Sequence, residues 1–343
     1  MEFQRVKKFQ RLTVALFFLV VLISLNACSN SKVYTVAGIM GDEGISGDGG
    51  SATTARLKQP KSIFVDNSGN IYIADGYKFD AVIRKVNASD GKINAVVGSR
   101  QNVTKEFYEG ISADSVKLRG LDCIFVDKDG NIFYAEGGQY LETTLKKVNI
   151  KDNKIYTVAG GCKDCAELKV GMDGVSAKKI NLGTGTSYGG NIQHFFIDKA
   201  GNIYFVTMYT IWKINASDDN LKHIAGVEFG YGGGALGDGV LATLSKMSPG
   251  AIFVDDSENI YISDSNYSIR KINASDGKIN TVAGIIGSSS AGDKIDKTKV
   301  LATTKKLHFP KEVSVDKTGN IYIGDNSVIW KVNASDGKIK YLA

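Results

Sequence analysis

The sequence predicts an all-β propeller of four-stranded antiparallel blades, with five blades favoured over six. Three observations predict it. The run Val65-Asp66-Asn67-Ser68-Gly69-Asn70-Ile71-Tyr72-Ile73-Ala74-Asp75 returns in variant form from Val126, Ile197, Val254 and Val315. Its first Asp recurs at intervals of 61, 71, 57 and 61 residues, and each copy is followed by segments like Ile83-Arg84-Lys85-Val86 and Ile93-Asn94-Ala95-Val96-Val97-Gly98. Helical periodicity is almost absent. A fixed period of this size with strand-like units marks a repeat architecture. One meander cannot bury both faces, so neighbours must cover it, and four-stranded units repeated radially form a propeller.

The elements follow from local chemistry. Residues 61–66 form a short apolar strand approached through Pro60. Residues 66–70 are a turn, because Asp bonds its own backbone and Gly supplies a positive φ. Residues 71–74 are a second strand and 82–86 a third. Residues 87–92 are a hairpin turn containing Asp90-Gly91, and 93–97 are the fourth strand. First strands are nearly all apolar, which places them next to the propeller axis. Third strands carry Arg84-Lys85, Lys146-Lys147, Trp212-Lys213, Arg270-Lys271 and Trp330-Lys331, which places them nearer solvent. The three prolines, Pro60, Pro249 and Pro310, all precede a first strand, where a missing donor is harmless.

Fourth strands number six, at 33–38, 93–98, 155–160, 221–226, 279–284 and 339–343, against five copies of the other three. The N-terminal surplus is expected to close the ring by completing the last blade. A sixth blade would need slack that only the 71-residue interval holds, and that surplus is about ten residues.

The first 27 residues are expected to lie outside the fold. Arg5, Lys7, Lys8 and Arg11 precede an apolar stretch at 12–25 that is too short for a typical spanning helix. It ends in Leu25-Asn26-Ala27-Cys28, which resembles a bacterial lipobox. That resemblance implies lipid on Cys28 at the start of a tether, 28–32, which leaves 33–343 for the propeller. Ser29 rather than Asp follows, which favours the outer membrane of the bacterial cell envelope. The signal segment holds half of the formal charge of +6, so the mature chain is near +3 with no long basic run. No nucleic-acid partner is expected. In an exported setting Cys162 and Cys165 are expected to close a local disulfide. A zinc site would need two more ligands, and the chain has three His, at 194, 223 and 308. Cys123 reads as a small buried hydrophobe.

The unit Val65-Asp66-x-x-Gly69-Asn70-Ile71-Tyr72-x-x-Asp75, with its Ile83-Arg84-Lys85-Val86, resembles the NHL-repeat propellers. Tyr34-Thr35-Val36-Ala37-Gly38 and the following Ser46-Gly47-Asp48-Gly49-Gly50-Ser51-Ala52 are similar to the subset found in bacterial secreted NHL proteins and in teneurins. The resemblance covers residues 33–343 and implies the fold. For function it implies a range from sensors and scaffolds to a few lyases. The pattern breaks at Glu258 in place of a turn Gly, at Glu136 and Thr207 in place of Asp, and at a Gly-rich stretch, 183–190, before the third repeat.

Loops from fourth to first strands, with those after second strands, are expected to surround one mouth of a central channel. First strands begin there with Lys61, Asp122, Gln193, Gly250 and Lys311, followed by Ser62, Cys123, His194, Ala251 and Glu312. A second set, Asp75, Glu136, Thr207, Asp264 and Asp325, follows the second strands. Varied polar residues at related positions suit a polar ligand, whereas the repeated Asp also suits a cap on the loop backbone. The Gly-Asp-Gly loops at 47–49 and 237–239 lack the alternating acids of a calcium loop and read as glycine-shaped turns. No metal or cofactor is expected. Catalytic templates are missing: there is no Gly-x-Ser-x-Gly elbow, and the His are scattered. His308-Phe309-Pro310 reads as packing. The expectation is a monomeric, envelope-anchored, non-catalytic binding or scaffold propeller for a protein, peptide or glycan, touching membrane only through the lipid on Cys28. The alternative is a periplasmic lyase or lactonase-like enzyme acting at the channel mouth.

Overall fold

The structure, a computed structural model, describes residues 34–76, 80–99, 109–138, 141–183, 192–228, 236–288 and 299–342. The signal segment, Cys28, its tether and most of the Gly-rich stretch at 183–190 lie outside the described residues. The described chain holds five antiparallel meanders of four or five strands, the blades of a β-propeller. Contacts group them into two compact units, 1–159 and 160–343.

The first unit carries two blades. Blade 1 is β1 (Ser62–Val65), β2 (Ile71–Asp75), β3 (Val82–Val86) and β4 (Ile93–Val97). Blade 2 is β5 (Leu121–Val126), β6 (Ile132–Gly138), β7 (Leu141–Asn149) and β8 (Lys154–Gly160). A core that includes Tyr72, Ile83, Leu118, Ile124, Tyr134 and Ile155 lies between the two sheets. The second unit carries three. Blade 3 is β9 (His194–Ile197), β10 (Ile203–Val206), β11 (Thr210–Ile214) and β12 (Leu221–Gly226). Blade 4 adds a short outer strand, β13 (Val240–Leu241), to β14 (Pro249–Val254), β15 (Ile260–Asp264), β16 (Ser268–Ile272) and β17 (Lys278–Gly284). Blade 5 likewise adds β18 (Val300–Leu301) to β19 (Pro310–Val315), β20 (Ile321–Asp325), β21 (Val328–Val332) and β22 (Lys338–Tyr341).

The repeated run is a clasp. Asp66 accepts the backbone N–H groups of Ser68 and Asn70, both at 2.9 Å, and the Asn70 carboxamide N–H at 2.8 Å. The Asn70 carbonyl then accepts the Ala88 N–H at 3.0 Å, in the turn between β3 and β4. The same Asp–Asn pair ties Ile150, Ala216, Ala274 and Ala334 in the other blades. One pair of side chains thus fixes both hairpin turns at one end of each blade. At Asp66 and Asp316 desolvation alone would raise the carboxyl, but the donors outweigh it: Asp66 is lowered, and Asp316 is held down at about 2. The turn Gly between them has φ of +81° to +87° at Gly69, Gly130, Gly201 and Gly319, whereas Glu258 must adopt +62° there. Left-handed backbone is costly for a residue with a Cβ. Glu258→Gly should therefore stabilise the protein by about 1 kcal/mol, read as a higher urea midpoint at an unchanged slope.

The third strands differ from expectation. Arg84, Lys146, Trp212, Arg270 and Trp330 are buried, and only the second residue of each pair is partly solvated. Side chains alternate along a strand, so one member must point inward. The outward lysine lies over the aromatic of the second strand: Lys85 over Tyr72, Lys147 over Phe133, Lys213 over Tyr204, Lys271 over Tyr261 and Lys331 over Tyr322, at 5.2–5.4 Å. That is cation–π range. The inward cation holds a loop. Arg84 donates to the Asp48 carboxylate at 2.7 and 3.0 Å and to the carbonyls of Arg56 and Ser46, both at 2.9 Å. Arg270 does the same less fully, donating to Ser245 Oγ and the Gly237 carbonyl, both at 2.9 Å.

Each blade also carries a short 3₁₀ turn that sequence reading did not anticipate, opening on a buried Ala: Ala52, Ala113, Ala177, Ala242 and Ala302. In the first unit it staples neighbouring blades. The Ala113 carbonyl accepts the Gly98 N–H just after β4, while its own N–H donates to the Asn153 carbonyl just before β8, both at 2.8 Å.

The expected closing strand does not form, since residues 34–38 carry no strand. The Gly38 N–H donates to the Ala52 carbonyl at 2.9 Å instead. In blade 5, β21 is already paired with β22 and β22 with β18, so that sheet takes all its strands from its own repeat.

Candidate functional site

The candidate residues sit at the end of the blades where first strands begin and second strands finish. The acids closing the second strands turn inward. Asp75 accepts the N–H groups of Lys58 and Gln59 at 2.8 and 3.1 Å. Glu136 accepts the Arg119 N–H at 2.8 Å, Asp264 that of Ser248 at 3.2 Å, and Asp325 those of His308 and Phe309 at 2.9 and 2.6 Å. All four acids are buried. Each holds the backbone that leads into its own blade's first strand. Burial pushes the carboxyls of Asp75 and Asp264 up against those donors, and that of Glu136 up to about 6. Thr207 answers differently: its hydroxyl contacts that of Thr210 at 2.7 Å, which in turn accepts the Trp212 indole N–H at 2.8 Å.

The residues that open the first strands are more varied. In the first unit Lys61 and Asp122 meet across the two blades in an ion pair at 3.1 Å. Ser62 Oγ accepts the Ile124 N–H there at 3.2 Å. In the second unit His194 takes the same bridging role, its Nδ1 facing the Ile252 N–H at 3.4 Å. That bond leaves the proton of the neutral ring on Nε2. Desolvation pushes the His194 imidazole down to about 4, so it is neutral at pH 7. Gln193 and Lys311 are exposed, and Glu312 is half-buried. The Gln193–His194 pair and the Lys311–Glu312 pair lie on different blades and make no hydrogen bond to each other.

Desolvation pushes the Glu312 carboxyl up to about 7, opposed by the Lys311 charge. The folded chain therefore binds this proton more tightly than the unfolded chain. Its contribution to stability is full below the ordinary pKa of 4.5 and lost as pH rises towards 7. Glu312→Gln should match the parent near pH 4 and exceed it in stability at pH 8, read from urea unfolding across that range.

Other features settle as structure. Cys162 and Cys165 are joined in a disulfide with Cα atoms 5.3 Å apart, and Cys123 is a buried thiol. Loop acids anchor to strands: Asp238 accepts the Thr281 N–H and hydroxyl, both at 2.9 Å, Asp173 the His223 N–H at 2.6 Å, and Glu109 the Thr157 N–H at 2.9 Å. In blade 1 a guanidinium occupies the place of a cation beside Asp48. No group of three or more His, Cys, Asp or Glu able to hold a metal occurs among the described residues. His223 is buried against Trp212 with Nε2 3.0 Å from the Ala225 carbonyl.

Sequence reading missed the aromatic rim of the second unit. Phe309, read as packing, is 44% exposed with the Lys311 ammonium 5.5 Å from its ring centre. Tyr267 stands in the turn after β15 with φ of +66°, and Asn326 in the turn after β20 with φ of +52°. The available signal was an aromatic before Pro310 where the other Pro-led repeats place Gln59 and Ser248; Tyr267 has a counterpart in Tyr209 of the third repeat.

The family model of the teneurin NHL domain matches residues 21–113. No curated protein matches the chain. Among solved structures, a protein of unknown function from Bacteroides thetaiotaomicron superposes with a TM-score of 0.58 at 16% identity, over 90% of this chain and 63% of that one. An auxiliary nutrient binding protein from the same species gives 0.51 at 10% identity, over 83% of this chain and 57% of that one. Another from Bacteroides ovatus gives 0.51 at 13% identity, over 84% of this chain and 60% of that one. The chain thus spans about three fifths of the length of these structures, and at such identities the likeness shows the fold alone. The five blades, the clasp repeated in each and the match of residues 21–113 to a teneurin NHL domain support an NHL-repeat type of β-propeller.

Proposed function

We propose that the chain is a non-catalytic binding or scaffold propeller, tethered to the bacterial envelope by lipid on Cys28. The observation that carries this reading is a division of labour at the first-strand end. The repeated acids turn inward and hold backbone N–H groups, which suits them poorly to proton transfer, whereas the exposed residues differ between blades 3 and 5: Gln193 on the first, Phe309 and Lys311 on the second. A rigid frame with a varied surface is how binding sites are grafted onto superfolds. One observation favours the second reading, a lyase or lactonase-like enzyme. Burial pushes the Glu312 carboxyl up to about 7, the range suited to a general acid. Two experiments test the proposal. Radiolabelled palmitate should enter the parent and not Cys28→Ala, and failure of labelling removes the anchor. Turnover of a lactone panel by the parent, abolished in Glu312→Gln, would replace the binding reading with the enzymatic one.

A further inference from the structure

Two aromatic residues, the exposed Phe309 and the half-buried Tyr267, stand at the first-strand end of the second unit on a rigid frame. The Phe309 N–H donates to Asp325 at 2.6 Å, and its carbonyl accepts the Asn326 N–H at 3.3 Å. Its backbone is therefore clamped on both sides while the ring stands 44% exposed. Tyr267 belongs to the neighbouring blade. Its turn is built on Asp264, which accepts the Asn266 backbone and carboxamide N–H groups, both at 3.0 Å. The two blade ends are joined by Ser263 Oγ, which donates to the Lys311 carbonyl at 3.1 Å and accepts the Ala251 N–H at 2.7 Å.

Tyr267 and Asn326 both hold left-handed backbone without being Gly. For a bulky Tyr this backbone is strained, and such strain persists where the loop is needed in that form. Lys311 is exposed with its ammonium 5.5 Å from the Phe309 ring centre, Asn326 is exposed and bonded to the Phe309 carbonyl, and Glu312 lies half-buried next to Lys311. An exposed Phe309 face beside an amide, an ammonium and a carboxyl matches a ligand that is apolar on its faces and polar around its edge, and Tyr267 adds a second, half-buried aromatic in the turn of the neighbouring blade.

We propose that this end of blades 4 and 5 binds pyranose rings of a polysaccharide, stacking them on Phe309 and Tyr267. The inference rests on the binding reading above. The axial C–H groups of a pyranose form an electropositive face that suits the negative face of an aromatic ring. Its equatorial hydroxyls reach the Asn326 carboxamide and the Lys311 ammonium. A peptide added as an extra strand would need a free strand edge, and this end of the blades offers turns. Lys311 also suits the carboxylate of a uronic acid, so neutral and acidic polymers share the site's chemistry.

The test uses the full mature chain in detergent and a panel of laminarin, starch, galactomannan and polygalacturonate. At least one polymer should bind, and Phe309→Ala should weaken it roughly tenfold. Tyr267→Gly should weaken binding similarly while raising the melting temperature, because it relieves the left-handed strain. A purely structural Tyr would lower both. Polygalacturonate binding should fall with salt and in Lys311→Ala, whereas a neutral polymer should be indifferent to salt. No binding to any member at about 5 mM sugar would overturn the proposal. So would undiminished binding in Phe309→Ala. A stoichiometric protein captured from envelope extract, with no polymer bound, overturns the glycan site and leaves the binding reading standing.

Discussion

Arg84→Met should remove about 3–5 kcal/mol of stability, or leave the chain unfolded at 37 °C. Its guanidinium is fully buried and donates to Asp48, Ser46 and Arg56, with Asp75 Oδ2 at 3.7 Å. Methionine replaces the stem and none of the donors. The cost arises from what is left behind. Asp75 is already raised by burial and is opposed in this by Arg84, so removing the cation strands a carboxylate in the interior. The loop at 46–48 loses its anchor as well. Position 84 has no intrinsic demand for charge, because Trp212 and Trp330 fill its equivalent in blades 3 and 5. The comparison with blade 4 is informative. Arg270 lies 3.5 Å from Asp238, a partly exposed carboxylate, so Arg270→Met should cost less than Arg84→Met. Urea unfolding of both variants checks the order. A loss below about 1 kcal/mol for Arg84→Met would show that the network is solvated and that the surface-pair rule governs.

The fold was legible because the clasp is local. Asp66, Gly69, Asn70 and Tyr72 lie within seven residues, and each copy announces two turns and two strands. The cap was half legible. Asp75 recurs visibly, but its donors are the backbone groups of Lys58 and Gln59, which any residue supplies and no sequence marks. Arg84 misled for a related reason. A charged pair in a strand looks solvated until the loop it anchors, 36 residues earlier, is brought beside it. The closing strand was read from likeness alone: 34–38 repeats the wording of fourth strands, yet β21 already has its partner in β22. Phe309 was hidden by its neighbour. A Phe before Pro suggests packing, whereas the clamp from Asp325 and Asn326 turns it outward.

Asp325→Ala should cost about 3 kcal/mol and weaken polysaccharide binding without touching either ring. One carboxylate serves three donors: the His308 N–H at 2.9 and 3.0 Å, the Phe309 N–H at 2.6 Å and the Trp330 indole N–H at 3.2 Å. The losses are unequal. His308 and Phe309 are exposed, so water replaces much of what their N–H groups lose. Trp330 is buried, and its orphaned indole N–H bears the larger penalty. Asp325→Asn keeps one carbonyl acceptor and should cost about 1 kcal/mol. Blade 3 shows how the indole is satisfied without an acid: Thr207 and Thr210 relay to Trp212. The double change Asp325→Thr with Val328→Thr copies that arrangement. It should recover the Trp330 share of stability while leaving the backbone before β19 unheld. Stability and binding then separate, with unfolding near the parent and affinity still low. If binding returned together with stability, Phe309 would need no clamp, and Asp325 would act on the site only through the fold.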